Sequence, residues 1–336
     1  MDLKKTYIIA EAGINHNGNF NTAKKLITEA KLSGANAIKF QTFLPDAVAT
    51  KALGMASYQK RNLKKKIKMV DMIKNYALSL KYQKKFYKFE KKKKIDFISS
   101  AFDLESLDFL INDLKLKILK IPSGEITNYP YLKRLSKINK KIILSTGMSN
   151  MNEIKQALKV LLSGKLKRKN ISILHCNTDY PTPMKDVNLN AILSMKRDLK
   201  LNIGYSDHTI GTEVSIAAVC LGAKIIEKHI TLNKLDKGPD HKSSLSINEL
   251  KSLISAIRNI EKSFGSDIKK VSPSEKKNIK FARKVLVAKK FIKKGEKFSI
   301  SNITTKRAGK GLSPMNWNKY ISKKSTKNFR EDEKIK

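Results

Sequence analysis

The chain is poor in cysteine, in acidic side chains, in arginine and in long apolar runs. Two cysteines, Cys176 and Cys220, in 336 residues make no disulfide framework and suit a reducing compartment. A chain of this length buries enough apolar surface to need no covalent staples. Both read as packing residues, although Cys176, between His175 and Asn177, stands where a functional thiol would sit. Acidic groups number 29 against 70 Lys and Arg, for a formal charge of +41. Such an excess invites a polyanion, but only eight of the 70 are Arg, the residue better suited to bidentate phosphate and base contacts. The lysines spread along the chain in runs such as Lys64–Lys66 and Lys91–Lys94, which read as solvated helix faces. No zinc-finger spacing or RNP-like aromatic motif accompanies them. The excess is therefore read as compositional bias, with weak nonspecific polyanion binding as a side effect and no specific nucleic acid as partner. The opening MDLKKTYIIAEAG has lysines before an apolar stretch that Glu11 ends after Ala10. That stretch is too short for a signal-peptide core or a membrane span, so a cytoplasmic protein is expected.

What the chain does have is eight short apolar runs: Tyr7–Ala10, Ala37–Phe40, Asp96–Ser99, Lys117–Ile121, Lys141–Leu144, Ile171–Leu174, Leu201–Gly204 and Lys224–Ile226. They are followed, in order, by EAGINHNG, QTF, SAFD, PSGE, STGM, HCNTDYPTP, YSDH and EKH. Helix-patterned sequence separates them, mostly at a spacing of roughly 25–30 residues, as βα repeats require. Eight β-then-α units with polar groups at the strand ends predict a (β/α)8 TIM barrel with its active site at that face.

The punctuation agrees. Asn21-Thr22 is expected to cap a helix with Ala23, Leu26, Ile27 and Ala30 on its apolar face and Gly34 just past its end. Asn150 with Glu153 predicts a capping box ahead of Ile154, Ala157, Leu158 and Leu161. Between Phe43 and Ile95 the spacing lengthens to hold one helix, around Ile67–Phe89, and the loop PDAVATKALGMASYQKRN. A loop that long, leaving the second strand at the active face, is placed to close over a substrate. The barrel domain is set at 1–265 and a polar linker at 266–282. A small β-rich domain follows at 283–336, with strand-like pieces at Arg283–Ala288, Phe298–Ile300 and Ile303–Thr305. So small a domain is expected to lean on a barrel, its own or a partner's.

Three groups converge if the barrel is right. Lys39, Ser100, Lys120, Ser123, Ser145 and Ser206, with the backbone N–H groups of PSGE and STGM, make a site for a small, highly charged phosphorylated acid. His208 and His229, from the ends of adjacent strands, are spaced to hold one divalent metal with positions left open. Asp207 and Glu227 are expected to orient their rings, while His16, His175 and His241 read as structural. Glu11, Glu125 and Asp240 bring carboxylates that suit a polyol or an aldehyde. Together they favour an enzyme that joins an anionic three-carbon unit to a sugar-like acceptor.

These motifs, in this order, resemble the N-acetylneuraminate (sialic acid) synthase family: EAGINHNG, IKFQTF, KIPSGEITNYPYL, IILSTGMSNMNEI, ILHCNTDYPTP, NIGYSDHTIG, IIEKHITL and GPDH. The stretch KKGEKFSISNITTKRAGKG resembles the antifreeze-like (SAF) domain fused C-terminally in that family. The resemblance implies condensation of phosphoenolpyruvate with N-acetylmannosamine or a related hexose, giving a nine-carbon 2-keto acid and phosphate. It implies Lys39 on the carboxylate of phosphoenolpyruvate, and Lys120, Ser123, Ser145 and Ser206 near its phosphate, with the Ser100 hydroxyl kept beside them. It implies His208 and His229 as ligands of Mn²⁺ or Mg²⁺, and Glu125 as the proton-handling group. Tyr180, Asp240 and Glu11 would contact the sugar or order the site, joined by Asn62 from the SYQKRN segment. Arg307 would reach the sugar N-acetyl group of a partner chain through a domain-swapped homodimer.

Two stretches depart from the family pattern. STPF reads Ser99-Ser100-Ala101-Phe102 here, and an RPGNG-like stretch reads Arg307-Ala308-Gly309-Lys310-Gly311. Both departures loosen loops around the substrate. The highly charged end, NFREDEKIK, predicts a frayed last strand. Within the same chemistry the acceptor is alternatively a 6-deoxy-2,4-diacetamido hexose, for legionaminic or pseudaminic acid, with the choice resting on the 43–95 segment. More remote readings are a Schiff-base aldolase using Lys39 or Lys120, and a non-catalytic polyanion-binding protein.

Overall fold

The computed structural model describes residues 1, 3–64 and 66–336, and the side chains of these apart from Glu90 and Lys91. The lysine runs at 64–66 and 91–94 therefore fall partly outside the described residues. The chain forms two compact units, Met1–Phe264 and Gly265–Lys336.

The first unit is a closed parallel barrel. Its strands are β1 (Tyr7–Gly13), β2 (Ala37–Thr42), β3 (Asp96–Ala101), β4 (Ile118–Ile121), β5 (Lys141–Ser145), β6 (Ile171–Cys176), β7 (Asn202–Asp207) and β8 (Ile225–Thr231). They pair in that order, and β8 returns to β1 from Tyr7↔Ile225 to Glu11↔His229. A two-residue strand β9 (Leu245–Ser246) extends β8 past the barrel. Each apolar run falls on one strand. The last two strands reach further than the runs do, so Ser206, Glu227 and His229 lie within strands rather than after them.

Strand periodicity explains where the site falls. Side chains two apart share a face, and Ile9, Ala37, Ile98, Ile118, Ile143, Leu174 and Ile225 pack together inside the barrel. Two residues further along the same strands stand Glu11, Lys39, Ser100, Lys120, Ser145, Cys176 and Glu227. An apolar layer thus floors a polar one, in the stacked manner of such barrels. On β7 the corresponding floor position is Gly204, where a Cβ would stand 2.5 Å from the Ile225 carbonyl oxygen and 2.6 Å from a Leu174 methyl. Only glycine fits there. A second, larger core lies between the strands and the surrounding helices.

Helix α1 (Phe20–Leu32) is capped by Asn19, not by Asn21-Thr22. The Asn19 Oδ1 accepts from the N–H groups of Asn21 and Thr22 at 2.8 and 3.0 Å. This frees Phe20 to enter the helix and stack on Phe86. Before helix Met151–Leu161, Asn150 and Glu153 form the reciprocal capping box.

The long 43–95 segment differs most from expectation. It holds four helices: α2 (Pro45–Val48), α3 (Ser57–Leu63), α4 (Met69–Tyr76) and α5 (Leu80–Lys93). Pro45 sits in the first turn of α2, where its missing N–H costs nothing. The Gln59 side chain accepts the Ala56 N–H at the start of α3. The single helix expected over 67–89 breaks at Ala77, whose backbone is extended, and restarts behind the Ser79 hydroxyl. Met55, Met72 and Ile73 give this lid a small core of its own.

In the second unit, β10 (Val285–Ala288) and β11 (Ile303–Lys306) form an antiparallel pair over a core that includes Leu286, Phe298, Phe329 and Ile335. At Phe298–Ile300, among the described residues, the pairing is limited to an isolated bridge of Lys297 with Lys324 and backbone bonds of Phe298 with Ser322 and Lys323; the chain then turns at Ile300, the Asn302 side chain accepting the Ser299 N–H. The charged end is held, not frayed. Phe329 and Ile335 are buried, and the Ile335 N–H donates to the Leu286 carbonyl. The stretch at 266–282 carries two single-turn helices, Pro273–Lys276 and Ile279–Ala282.

Candidate active site

Four charged side chains meet in the polar layer of the barrel. Lys39 Nζ lies 3.2 Å from Glu11 Oε1 and 3.4 Å from Glu227 Oε1, and it donates to Ser100 Oγ at 3.3 Å. Lys120 Nζ lies 3.4 Å from the same Glu227 oxygen and donates to Ser145 Oγ at 2.6 Å. Ser206 Oγ donates to Glu227 Oε1 at 2.8 Å. All are buried. Their protonation follows from the geometry. Burial opposes the Lys39 charge, but Glu11 and Glu227 hold it above its ordinary value. Burial depresses Lys120, against the pull of Glu227. Burial opposes ionised Glu227, yet Lys120 and Lys39 bring it down to about 2. At Glu11 burial prevails over Lys39 and lifts the carboxyl to about 7.

His208 and His229 stand beside this layer with ring centroids 5.4 Å apart. The Tyr180 ring lies over both, 4.1 Å from His208 and 5.6 Å edge-on from His229. Burial keeps both imidazoles neutral, His208 at about 4 and His229 well below 6.5. The His208 Nδ1 meets the Asn177 carbonyl oxygen, so it carries the proton and the Nε2 lone pair points inward, 3.4 Å from Ser206 Oγ. His229 Nδ1 is buried without a hydrogen-bond partner, 3.9 Å from Asp240 Oδ2. Asp240 is buried, which lifts its carboxyl to about 7. No group of three or more His, Cys, Asp or Glu among the described residues forms a ready-made metal cage. Two neutral imidazoles, His208 with its tautomer fixed by the Asn177 carbonyl and His229 with an unsatisfied buried nitrogen, do fit a divalent cation that completes its shell with water or substrate oxygen.

A cavity of about 300 Å³ opens beside His229. Its barrel end is lined by Gln41, His229, Tyr180 and Asp240, and its outer wall comes from the lid. Asn62 on α3 ties that lid down, with Nδ2 donating to the Pro239 carbonyl at 2.6 Å and to the Tyr180 carbonyl at 3.3 Å.

The structure therefore brings together Glu11, Lys39, Ser100, Lys120, Ser145, Ser206, His208, His229, Tyr180 and Asp240. Ser123 borders them in the turn after β4, accepting the Gly147 N–H and lying 3.3 Å from Cys176 Sγ. Glu125 ends the same turn, half-buried. Its Oε2 accepts from Asn128, and burial lifts its carboxyl above the ordinary value. No ion pair joins it to the four buried charges among the described residues. Arg307 is exposed in the second unit, directly after β11.

Asp207 does not orient the His208 ring as expected. It accepts from the Thr209 N–H and hydroxyl and from Ser215, and it pairs with buried Lys228 at 2.9 Å. Glu227 likewise serves the two lysines rather than the histidines. Both roles follow from strand alternation: Glu227 faces inward with His229, and Lys228 faces outward. Gln41, two residues beyond Lys39, is the other residue that sequence reasoning passes over and the same rule finds.

Fold and site together define a TIM-barrel enzyme with two lysines buried deep in the barrel and a cavity opening beside His229. The comparisons with known proteins make this more specific. Residues 26–269 match the NeuB family and residues 283–336 match the SAF domain, and the chain belongs to the NeuB family. It is 54% identical over 335 residues to N,N'-diacetyllegionaminic acid synthase of Campylobacter jejuni, covering 99% of this chain and 100% of that one. It is 38% identical over 325 residues to the protein of the same name from Legionella pneumophila, covering 96% and 91%. Among solved structures, N-acetylneuraminic acid (sialic acid) synthetase from Leptospira borgpetersenii superposes with a TM-score of 0.71 at 32% identity, covering 83% of this chain and 92% of that one. No helix among the described residues is long and apolar enough to cross a membrane.

Proposed function

We propose that the protein condenses phosphoenolpyruvate, a 6-deoxy-2,4-diacetamido hexose and water into N,N'-diacetyllegionaminic acid and phosphate. One observation carries the choice of acceptor: identity is 54% across essentially both whole chains with a legionaminic acid synthase, against 32% with a sialic acid synthetase. N-acetylmannosamine, giving N-acetylneuraminate, is the second reading. It is supported by that solved relative and by the family motifs.

The buried layer suits phosphoenolpyruvate. Lys39 faces its carboxylate, and Lys120 with Ser123, Ser145 and Ser206 faces its phosphate, Ser100 holding Lys39 in line. The vinyl carbon attacks the open-chain aldehyde and forms the new C–C bond. Water adds to the cationic carbon so generated, and the C–O bond to phosphate breaks, which balances phosphoenolpyruvate, hexose and water against keto acid and phosphate. A divalent cation, Mn²⁺ or Mg²⁺, held by His208 and His229 would supply Lewis acidity at the aldehyde oxygen. Glu125, its carboxyl lifted by burial, is the candidate for handling the protons of water addition. Glu11, Tyr180, Asp240 and Asn62 lie toward the sugar. Arg307 of a second copy, in a domain-swapped homodimer, would complete the sugar contacts, since a small domain gains stability from such a partner.

The test is incubation of the full-length protein with phosphoenolpyruvate, Mn²⁺ and each sugar in turn, following phosphate release and product mass. Turnover of the diacetamido hexose in preference to N-acetylmannosamine is expected; the reverse preference overturns the assignment of the acceptor. Borohydride trapping with pyruvate, metal independence and no phosphate release would point instead to a Schiff-base aldolase.

A further inference from the structure

We infer that the lid selects the acceptor. Val48, Leu53, Met69 and Ile73 form an apolar socket for the end of the sugar remote from its aldehyde, which accepts a methyl group at C6 and rejects a hydroxyl or phosphate there. This rests on the reaction proposed above.

The direction of the sugar follows from β8. Glu227 reaches the two lysines, and His229, two residues on, borders the cavity. The new bond joins the three-carbon unit to the aldehyde carbon, so that carbon lies at the His229 end and the tail of the hexose points to the lid. The cavity is at the small end of the range for ligand sites, about 300–1,000 Å³, which suits one monosaccharide.

The lid wall is uncharged in a chain where charge is everywhere. Of 70 Lys and Arg, none is among the described residues lining this cavity. Described basic residues of the lid turn outward: Lys51 and Lys68 are exposed, and Arg61 pairs with Asp179 at 3.4 Å. The charged group in the lining is Asp240, an acid. A phosphate at C6 would be desolvated without a cation, and a hydroxyl packed against Val48, Leu53, Met69 and Ile73 would lose water to apolar carbon, the polar lid residues of the lining being Tyr58, Gln59 and Tyr76. The wall is more than the lid's own core. Met55 is buried in that core, whereas Met72 and Ile73 belong to it and also line the cavity, Val48 and Met69 pack on it while lining the cavity, and Leu53 stays 51% exposed at the cavity.

Val48→Thr and Leu53→Lys test the socket. Neither side chain is fully buried, so both variants are expected to fold, and Val48→Thr adds only a hydroxyl in place of a methyl. Values of kcat/KM are measured with the 6-deoxy-2,4-diacetamido hexose, N-acetylmannosamine and N-acetylmannosamine 6-phosphate, with thermal melts and the KM for phosphoenolpyruvate alongside. Val48→Thr is expected to lower the preference for the deoxy sugar over N-acetylmannosamine by about 10-fold, the scale of a single apolar contact. Leu53→Lys is expected to raise kcat/KM for the 6-phosphate by about 10-fold or more, with the KM for phosphoenolpyruvate unchanged in both. A wild type that prefers the diacetamido sugar, with variants that melt normally and keep its ratios, overturns the socket alone. A wild type that prefers N-acetylmannosamine overturns the acceptor assignment and the socket with it.

Discussion

Glu11 on β1 and His229 on β8 are register partners across the seam that closes the barrel, and each keeps a buried atom, Oε2 and Nδ1, that no neighbouring group satisfies. Buried polar atoms are rarely left unpaired in native proteins, so this seam is where a ligand is needed most. It also forms only when the first and last strands meet. The site is therefore a property of the finished barrel, and substitutions at its charged hub should register in stability as well as in turnover.

Glu227 is that hub. Its Oε1 lies 3.4 Å from both Lys39 and Lys120. Glu227→Gln leaves two buried ammonium groups short of an anion, and breaking a buried pair in this way costs about 3–5 kcal/mol. At about 2–4 °C per kcal/mol for a unit of this size, the melting temperature should fall by roughly 10 °C. Phosphoenolpyruvate brings its own anionic groups to the same lysines and should restore more of the loss than it adds to the wild type. Thermal melts with and without it decide the matter; equal shifts in the two proteins would remove Lys39 and Lys120 from the anion site.

Asn62 fastens the lid to the loops after β6 and β8. Asn62→Ala removes the 2.6 Å bond to Pro239 and the weaker one to Tyr180, worth about 1–2 kcal/mol together. The expected result is a rise of about 5- to 20-fold in the KM for the sugar, an unchanged KM for phosphoenolpyruvate, and faster proteolysis within 43–76. Equal effects on both substrates would mean that the lid does not act on the sugar alone.

The barrel and most of its polar layer were legible because strands write their faces with period two. Once Ile9, Ala37, Ile98, Ile118, Ile143 and Ile225 are read as interior, the residues two further on are read as site. The extent of β7 and β8 was harder, since the polar residues that lengthen them look like loop. The lid was not legible. Its helices α2 and α3 are single or double turns, too short for a periodic signal, and they exist because Pro45 and the Gln59 cap start them and because Met55 and Met72 pack beneath them. Asp207 and Glu227 were visible but assigned to the wrong neighbours: Asp207, beside His208 in sequence, points to the other side of its strand and meets Lys228, while Glu227, on the same face as His229, is held by Lys39 and Lys120.

Asp207 and Lys228 form an ion pair with no exposed side-chain surface, and Lys228 also donates to the Thr209 carbonyl. They brace the turn that carries His208. Lys228→Met should cost about 3–5 kcal/mol by stranding the Asp207 carboxylate. Adding Asp207→Asn removes that stranded charge and should recover part of the loss. Urea unfolding of the single and double variants measures the coupling; a double variant as unstable as the sum of the singles would show that the pair contributes nothing as a pair.

The barrel should also lose stability in mild acid, with His16 a main cause. His16 is buried, its Nδ1 accepts the Gly18 N–H at 3.0 Å, and its ring lies beside Phe40. Burial, helped by His241, lowers its pKa from 6.5 to about 4. The folded protein therefore keeps the ring neutral between those values, while the unfolded chain takes up a proton. Below pH 6.5 the unfolded state binds more protons than the native one, so stability falls as the pH drops from 6.5 to 4 and is fully present above 6.5. The shift corresponds to about 3 kcal/mol at most for this one ring. His16→Asn removes the titrating group while keeping an acceptor near the Gly18 N–H. Its unfolding free energy should fall less than that of the wild type between about pH 7 and pH 4.5, by about 2–3 kcal/mol. Burial lowers His175, His208, His229 and His241 as well, so the variant keeps some acid sensitivity and the difference between the two slopes is the quantity to read. Identical slopes in urea titrations at the two pH values would mean that His16 already carries its proton in the folded barrel, which the bond from Gly18 to its bare nitrogen contradicts.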